Sequence, residues 1–410
     1  MWDRCLSPFH GLLSPGDEVE RSMVIDPKAV LAGQARRGVP AGAIISITIS
    51  SVCLGILLLL LLLFGGPVFI VASILSLVTL VPMMAGVMAL DRLEPEPRHL
   101  LVMTFLWGAG ASVVLSLIFT EIGVVALQPG LGETVETAAA ILLAPMVEET
   151  AKALVLFGLF WFRRSEINGI TDGVVYAATS ALGFAAAENI GYYITSASDG
   201  TSLAAVFVLR GILSPFCHPV FTSMTGIALA LAIRQKNQAV RFFLPLGGLV
   251  VAMSLHSIWN GSAMMGVGAL GLAFLLMNGV LVGILVALRI DRKQTVQRIQ
   301  TCMIQYAPTG LVTHEDLAML STLKARKYAR NWARSRHGKN GFNAMRDYQQ
   351  ACTKLSMLHD RASDGLVNAN EFEGQRHALL ILMGMARDAF LGPGHLARPM
   401  MNPPMQAPRQ

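Results

Sequence analysis

Charge is scarce in this chain. Only 14% of its 410 residues are Asp, Glu, Lys or Arg, against roughly 25% in soluble domains, while 53% are apolar. That balance excludes an ordinary water-soluble globule and indicates a membrane protein. Cysteine is also sparse: Cys5, Cys53, Cys217, Cys302 and Cys352 lie far apart, with no spacing that suggests a disulfide framework or a thiolate zinc site. No internal repeat stands out. Forty hydrophilic residues precede the first apolar run, which comes too late and runs too long for a cleaved signal peptide.

What the chain has in quantity is long apolar runs. A helix needs about 20 residues to cross a hydrocarbon core, and the sequence supplies such runs near 41–64, 67–90, 101–127, 136–162, 171–196, 202–233, 242–262 and 267–289. The expected fold is all-α: a polytopic transmembrane helical bundle of about eight spans in 41–290, with a small helical domain after it.

Lys and Arg are missing from every second connection. The basic connections carry Arg92 and Arg98, Arg163 and Arg164, Arg234, Lys236 and Arg241, and Arg289, Arg292 and Lys293; the N-terminal tail adds Lys28, Arg36 and Arg37. By the positive-inside rule these lie on the cytoplasmic side, so both termini are expected there and the protein in the plasma membrane. The net charge of +6 then reflects basic loops facing anionic lipid, and no nucleic-acid partner is needed to explain it.

After "RIDRKQTVQRIQ" the chain turns charged and helix-forming. Helices are expected near 314–336, 341–362 and 369–390, with Thr313 as an N-cap and Asp316 three residues on. They would form a cytoplasmic helical domain over 291–392. Its basic stretch "KARKYARNWARSR" reads as a solvated helix face. The segments 1–40 and 393–410 are expected to be disordered tails, the second rich in Pro.

Ionisable groups inside the spans are the remaining feature, because a charge near the bilayer centre costs about 2.5–3.5 kcal/mol on insertion scales. The fourth span carries "EETAK": Glu148 and Lys152 are four apart and can pair on one helix face, but one lysine cannot neutralise Glu149 as well. The fifth opens with Asp172, placed to cap its cytoplasmic end, and carries Glu188 about 24 Å further along. The sixth brings Arg210 and His218, and the seventh His256 and Asn260 one turn apart. The small residues around Glu188 explain close packing but not the carboxylate. Alone, Glu148 and Lys152 read as a structural ion pair, His218 as a hydrogen-bonded residue at a kink between Pro215 and Pro219, and His256 with Asn260 as polar glue between helices. Together they bring bases and donors to matching depth in four successive spans, which is what water activation requires.

At these residues the chain resembles the PrsW intramembrane proteases, in the wider group that includes the CAAX-prenyl endopeptidases. The matching pieces are "EETAK", "DGVVYAATSALGFAAAEN", an Arg followed by "HPVFT", and "LHSIWN", in family order over about 120 residues. The resemblance implies hydrolysis of peptide bonds of a membrane protein substrate within the lipid bilayer. It makes Glu148 the leading general base and Glu149 a supporting carboxylate balanced by Lys152. Glu188, His218 and His256 complete the polar site, Asn260 is an oxyanion donor, and Arg210 holds a carboxylate or a substrate carbonyl. The implied substrate is a membrane-anchored regulator such as an anti-sigma factor.

Two mechanisms stand open at this level. In one, zinc is held by Glu188, His218 and His256 with Glu148 as base; in the other, Glu148 activates water without a metal. The CAAX-type relatives commonly carry His in place of Glu188 and E-E-x-x-x-R in place of E-E-x-x-K. The competing functional class is a proton- or cation-coupled transporter using the same carboxylates and histidines, although the inverted repeats of such proteins are not evident.

Overall fold

The computed structural model describes residues 40–391. The tail residues outside that range, among them Cys5, Lys28, Arg36 and Arg37, are not described, so the expectation of disordered tails falls beyond it. All regular structure among the described residues is helical. The chain divides into two compact units, one of Val39–Asp291 and one taking up the chain from Arg292.

The first unit holds α1 (Ala41–Gly65), α2 (Val68–Leu90), α3 (Arg98–Leu106), α4 (Val113–Leu131), α5 (Ala144–Phe162), α6 (Ile170–Ser198), α7 (Leu203–Phe207), α8 (Cys217–Ile233), α9 (Gln238–Met264) and the start of α10 (Val267–Met303). Seven continuous helical stretches here are long and apolar enough to cross a membrane. One of these stretches holds two of the about eight expected spans. Arg98–Phe162 is a single stretch of 65 residues, about 98 Å of helix at 1.5 Å per residue, and it folds back on itself. The reversal is at Gly132, where φ is +53°, a conformation glycine adopts without steric penalty. Below the turn α4 packs on α5, closely enough that a Cβ on Gly123 would meet the Leu143 side chain.

The sequence sorts these helices into lipid-facing and central ones. Ile45, Ile49, Val52, Ile56, Leu59 and Leu63 of α1 are all exposed, the signature of a surface solvated by lipid rather than water. In α6, by contrast, 83% of the most apolar stretch is buried, against 11% in α1. It is central because its side chains are small. Gly173 of α6 and Gly226 of α8 are in mutual backbone contact, and a Cβ on either would lie 2.2 Å from the other's carbonyl oxygen.

The basic connections meet at one end of this unit, as their alternation requires. Arg234 Nη2 donates to Asn168 O (2.7 Å), Asn168 Nδ2 to Glu94 Oε1 (3.1 Å), and the Thr171 hydroxyl to Asp291 Oδ2 (2.7 Å). Asp172 caps α6 as expected, its Oδ2 accepting from the backbone N–H of Asn168 and Gly169 at 2.7 and 3.1 Å. Beside it Glu96, buried in the connection ahead of α3, accepts from the Tyr176 hydroxyl at 2.6 Å.

The second unit contains α11 (His314–Leu320), α12 (Leu323–Ser363) and α13 (Ala369–Leu391). Thr313 caps α11 and pairs reciprocally with Asp316. The helix expected over 314–336 is split, because Thr322 is extended (φ −140°, ψ 149°) and its hydroxyl caps a new helix at Ala325 N. A second break, at His337 and Gly338, interrupts α12. The core is built around Tyr348, Cys352, Leu355, Leu358 and Met383, and the Tyr348 hydroxyl donates to Leu311 O at 2.7 Å. The basic stretch is only partly a solvated face. Lys324, Lys327 and Arg334 are exposed, but Arg326 turns inward to Leu320 O and the Thr353 hydroxyl, and Arg330 reaches Gln349.

Glu96 makes a pH-dependent contribution that can be measured. Burial, and then the nearby carboxylates of Asp172 and Glu94, push its carboxyl well above the ordinary 4.5. The folded state therefore binds this proton more tightly than the unfolded chain does. The stabilisation is fully present below the unfolded value and is lost as pH rises through the folded one. Thermal unfolding in detergent from acid to mildly alkaline pH will show stability falling less with pH in Glu96→Gln than in the unsubstituted protein; identical slopes would contradict this account.

Candidate active site

The groups brought together by four successive spans converge on one buried cluster. Glu148, Glu149 and Lys152 share a face of α5 because positions three and four apart lie together on a helix. Lys152 is wholly buried and holds both carboxylates: Nζ lies 2.6 Å from Glu149 Oε1 and 3.6 Å from Glu148 Oε2. It also lies 3.2 Å from His218 Nδ1 and 4.2 Å from the centre of the Phe184 ring. A cation this enclosed is tolerated because it has carboxylate, imidazole and aromatic partners on several sides.

Glu149 is saturated. Its Oε1 faces Lys152 and His256 Nδ1 (3.1 Å), and its Oε2 accepts from the Thr222 hydroxyl (2.8 Å). An ionised carboxylate can only accept, so His256 carries its proton on Nδ1, and its Nε2 lone pair points to the other side of the ring. On that side Nε2 is 3.8 Å from Glu148 Oε2. The His256 ring is stacked on Phe221, centroids 4.8 Å apart, and set edge-on to His218 at 5.1 Å.

Glu188 sits across the cluster from Glu149. Its Oε2 pairs with Arg210 Nη2 and with His218 Nε2 at 3.1 Å. Arg210 is held further by Asn189 Oδ1 (2.7 Å from Nε) and by the Tyr192 ring beneath its guanidinium at 3.8 Å. These groups border a small, open cavity whose walls include Ser76, Glu188, Arg210, His218, His256 and Asn260. Asn260 is tied to a neighbouring turn, donating through Nδ2 to Ala140 O at 2.9 Å.

Ligand atoms of Glu148, His218 and His256 lie within 4.8 Å of one another, so the carboxylate grouped with the two histidines is Glu148. Glu188, expected from the sequence as the acidic ligand, is engaged by Arg210 instead. Glu148 Oε2 is buried with Lys152 Nζ at 3.6 Å and His256 Nε2 at 3.8 Å but makes no hydrogen bond among the described residues, and a buried oxygen without one is costly unless something else takes it up. The charge balance points the same way. Three carboxylates against Lys152 and Arg210 leave one negative charge in excess when both imidazoles are neutral. One carboxylate and two imidazoles are the donor set of a catalytic zinc site with three protein ligands, and the cluster fits such an ion.

Several contributors were given no role by the sequence. Thr222, the last residue of "HPVFT", and Tyr192 lie one turn beyond His218 and Glu188, so i,i+4 spacing could have found them. The π-helical turns Trp107–Ser112, Ala139–Leu143 and Val208–Leu213 leave no such trace. All three touch the site's frame: Trp107 donates to Ala151 O at 2.9 Å, Ala140 accepts from Asn260, and Arg210 projects from the third. Such turns are frequent at functional sites because they re-aim side chains and free carbonyls.

Lys152→Met will test how far the cluster depends on its central cation. Leaving Glu149 buried without its partner should cost about 3–5 kcal/mol, seen as a large drop in unfolding midpoint in detergent. An unchanged midpoint would contradict the charge balance given above.

Comparison with known proteins agrees with the site. The family model described as PrsW family intramembrane metalloprotease matches residues 96–290, which takes in every residue of the cluster. The protein Protease PrsW of Clostridioides difficile (strain 630) is 27% identical over 189 residues, covering 45% of this chain and 77% of its own length. Protease PrsW of Geobacillus kaustophilus (strain HTA426) is 30% identical over 178 residues, 42% and 69% of the two chains, and that of Bacillus subtilis (strain 168) 28% over 170 residues, 42% and 72%. No solved structure gives a significant match. These relatives are named as proteases and none as a transporter, and the chain belongs to the PrsW family of intramembrane metalloproteases.

Proposed function

We propose that Glu148, His218 and His256 hold a divalent metal ion, zinc by the chemistry of the donors, and that Glu188 is the proton acceptor for the water that cleaves the peptide bond. The observation that carries this reading is the Glu148 carboxylate oxygen, buried without a hydrogen bond and grouped with the two imidazoles. Bound there, such an ion would polarise the scissile carbonyl and acidify a bound water.

The chain's own residues supply the rest. Glu149 accepts from His256 Nδ1 and keeps its Nε2 free to ligate, the carboxylate–histidine arrangement that orients metal ligands. Lys152 balances Glu149 and borders Glu148 and His218. Glu188 makes its polar contacts through Oε2, leaving Oε1 for a water in the cavity, and Arg210 holds that carboxylate in place. Asn260 spends one amide N–H on Ala140 O and has a second to offer a developing oxyanion. Since a helical substrate hides its amides in its own hydrogen bonds, the scissile bond must enter locally unwound.

A second reading keeps Glu148 as the base with no metal, and His218 is what favours it. Both of its ring nitrogens are engaged, Nδ1 near Lys152 and Nε2 near Glu188, so ligation requires one contact to be exchanged. In either reading the setting is the one read from the positive-inside pattern: the plasma membrane, both termini cytoplasmic. The substrate class is a membrane-anchored regulatory protein such as an anti-sigma factor; the likeness to the PrsW proteases supports it.

Two isosteric substitutions separate the readings. Glu148→Gln should lose both bound metal and cleavage of a reconstituted membrane substrate, whereas Glu188→Gln should lose cleavage and keep the metal. Metal analysis of the purified proteins, with cleavage assayed before and after chelation, checks both. Active protein that holds no metal and survives chelator would leave Glu148 as the base.

A further inference from the structure

Thr222 is assigned no role by the family likeness, yet it makes one of the shortest contacts in the cluster. It is 1% exposed and lies on α8, one turn beyond His218. Helical threonines ordinarily turn their hydroxyl back to the carbonyl four residues earlier. Thr179 does so to Val175 O at 2.7 Å, and Thr353 to Gln349 O at 3.0 Å. Thr222 instead donates across the helix interface to Glu149 Oε2 at 2.8 Å.

That contact completes the coordination of Glu149 from three helices: Lys152 on its own helix, His256 on α9 and Thr222 on α8. A carboxylate fixed at one oxygen only can rotate about its terminal torsion, which is broad and roughly two-fold. With Oε2 pinned by a hydroxyl, Oε1 is held where it accepts from His256 Nδ1. The proton is then kept on Nδ1, and Nε2 stays unprotonated towards Glu148.

We propose that Thr222 is a positioning residue for the hydrolytic reaction, acting through Glu149 to fix the tautomer and orientation of His256. The two glutamates of "EETAK" then divide the labour: Glu148 meets the reacting side, and Glu149 is a fixed acceptor that sets the histidine. Thr222 does not border the cavity, so its effect falls on the chemical step and not on substrate binding. The inference rests on the cluster being the hydrolytic centre proposed above, but a ring tautomer can be read in the metal-free protein. The two proposals therefore fail separately.

The test uses the full chain in lipid nanodiscs, with nitrogen NMR of isotopically labelled histidine; the His256 signal is assigned by its loss in His256→Gln. The unsubstituted protein and Thr222→Ser should show the Nδ1–H tautomer. Thr222→Val, and Thr222→Ala should the valine variant fold poorly, should show a mixture. Metal affinity and kcat should fall about 10–100-fold in the hydroxyl-free variants, the range seen when a partner behind a metal ligand is removed. KM should change little, and Thr222→Ser should stay near the unsubstituted protein. A hydroxyl-free variant with an unchanged tautomer and unchanged kcat would overturn the proposal. So would a serine variant as impaired as valine, since the methyl group's packing would then be what matters.

Discussion

Everything in the first unit is arranged around the cost of burying charge in a bilayer. Glu148, Glu149, Lys152, Glu188 and Arg210 are five ionisable side chains brought into one cluster by α5, α6, the turn before α8, and α8 and α9 with their histidines. Isolated, each would be expelled from hydrocarbon or neutralised. Clustered, they pair with one another, and only Glu148 Oε2 among their buried oxygens is left without a hydrogen bond; that exception is where chemistry is expected. The saturated Glu149 and the unsaturated Glu148 are neighbours in sequence with opposite conditions.

The rest of the unit serves that cluster. α6 lacks the bulk of a lipid-facing helix, and its Gly173 touches Gly226 backbone to backbone, so Glu188 on α6 and His218 on α8 come within contact. Rings wall the site: Phe184 under Lys152, Phe221 on His256, Tyr192 under Arg210. They hold the polar groups in fixed orientations. Close helix packing, which needs small residues, thus coexists with a cavity walled by Glu188, Arg210, His218 and His256.

Much of this was legible in the sequence, for physical reasons. Membrane crossing demands about 20 apolar residues, so the spans could be placed within a few residues of α1, α2, α6 and α9. Buried charge is expensive enough that Glu148, Glu149, Lys152, Glu188, Arg210, His218 and His256 stood out and were expected close together, and the structure brings their side chains together. What sequence could not resolve was pairing. Glu188 and Glu148 are equally good ligands on paper, and only the position of Arg210, projected from a π-helical turn, decides which carboxylate is already occupied. The split at Thr322 escaped a helical reading because its cap is a single hydroxyl inside an otherwise helix-forming run.

The central claim is that the acidic partner of the two histidines is Glu148. X-ray absorption at the metal edge of purified, proteolytically active protein reads this directly. The account predicts a bound divalent ion with two imidazoles and a carboxylate oxygen in its shell, the carboxylate contribution surviving in Glu188→Gln. Active protein without bound metal, or a shell that loses its carboxylate in Glu188→Gln, would contradict it.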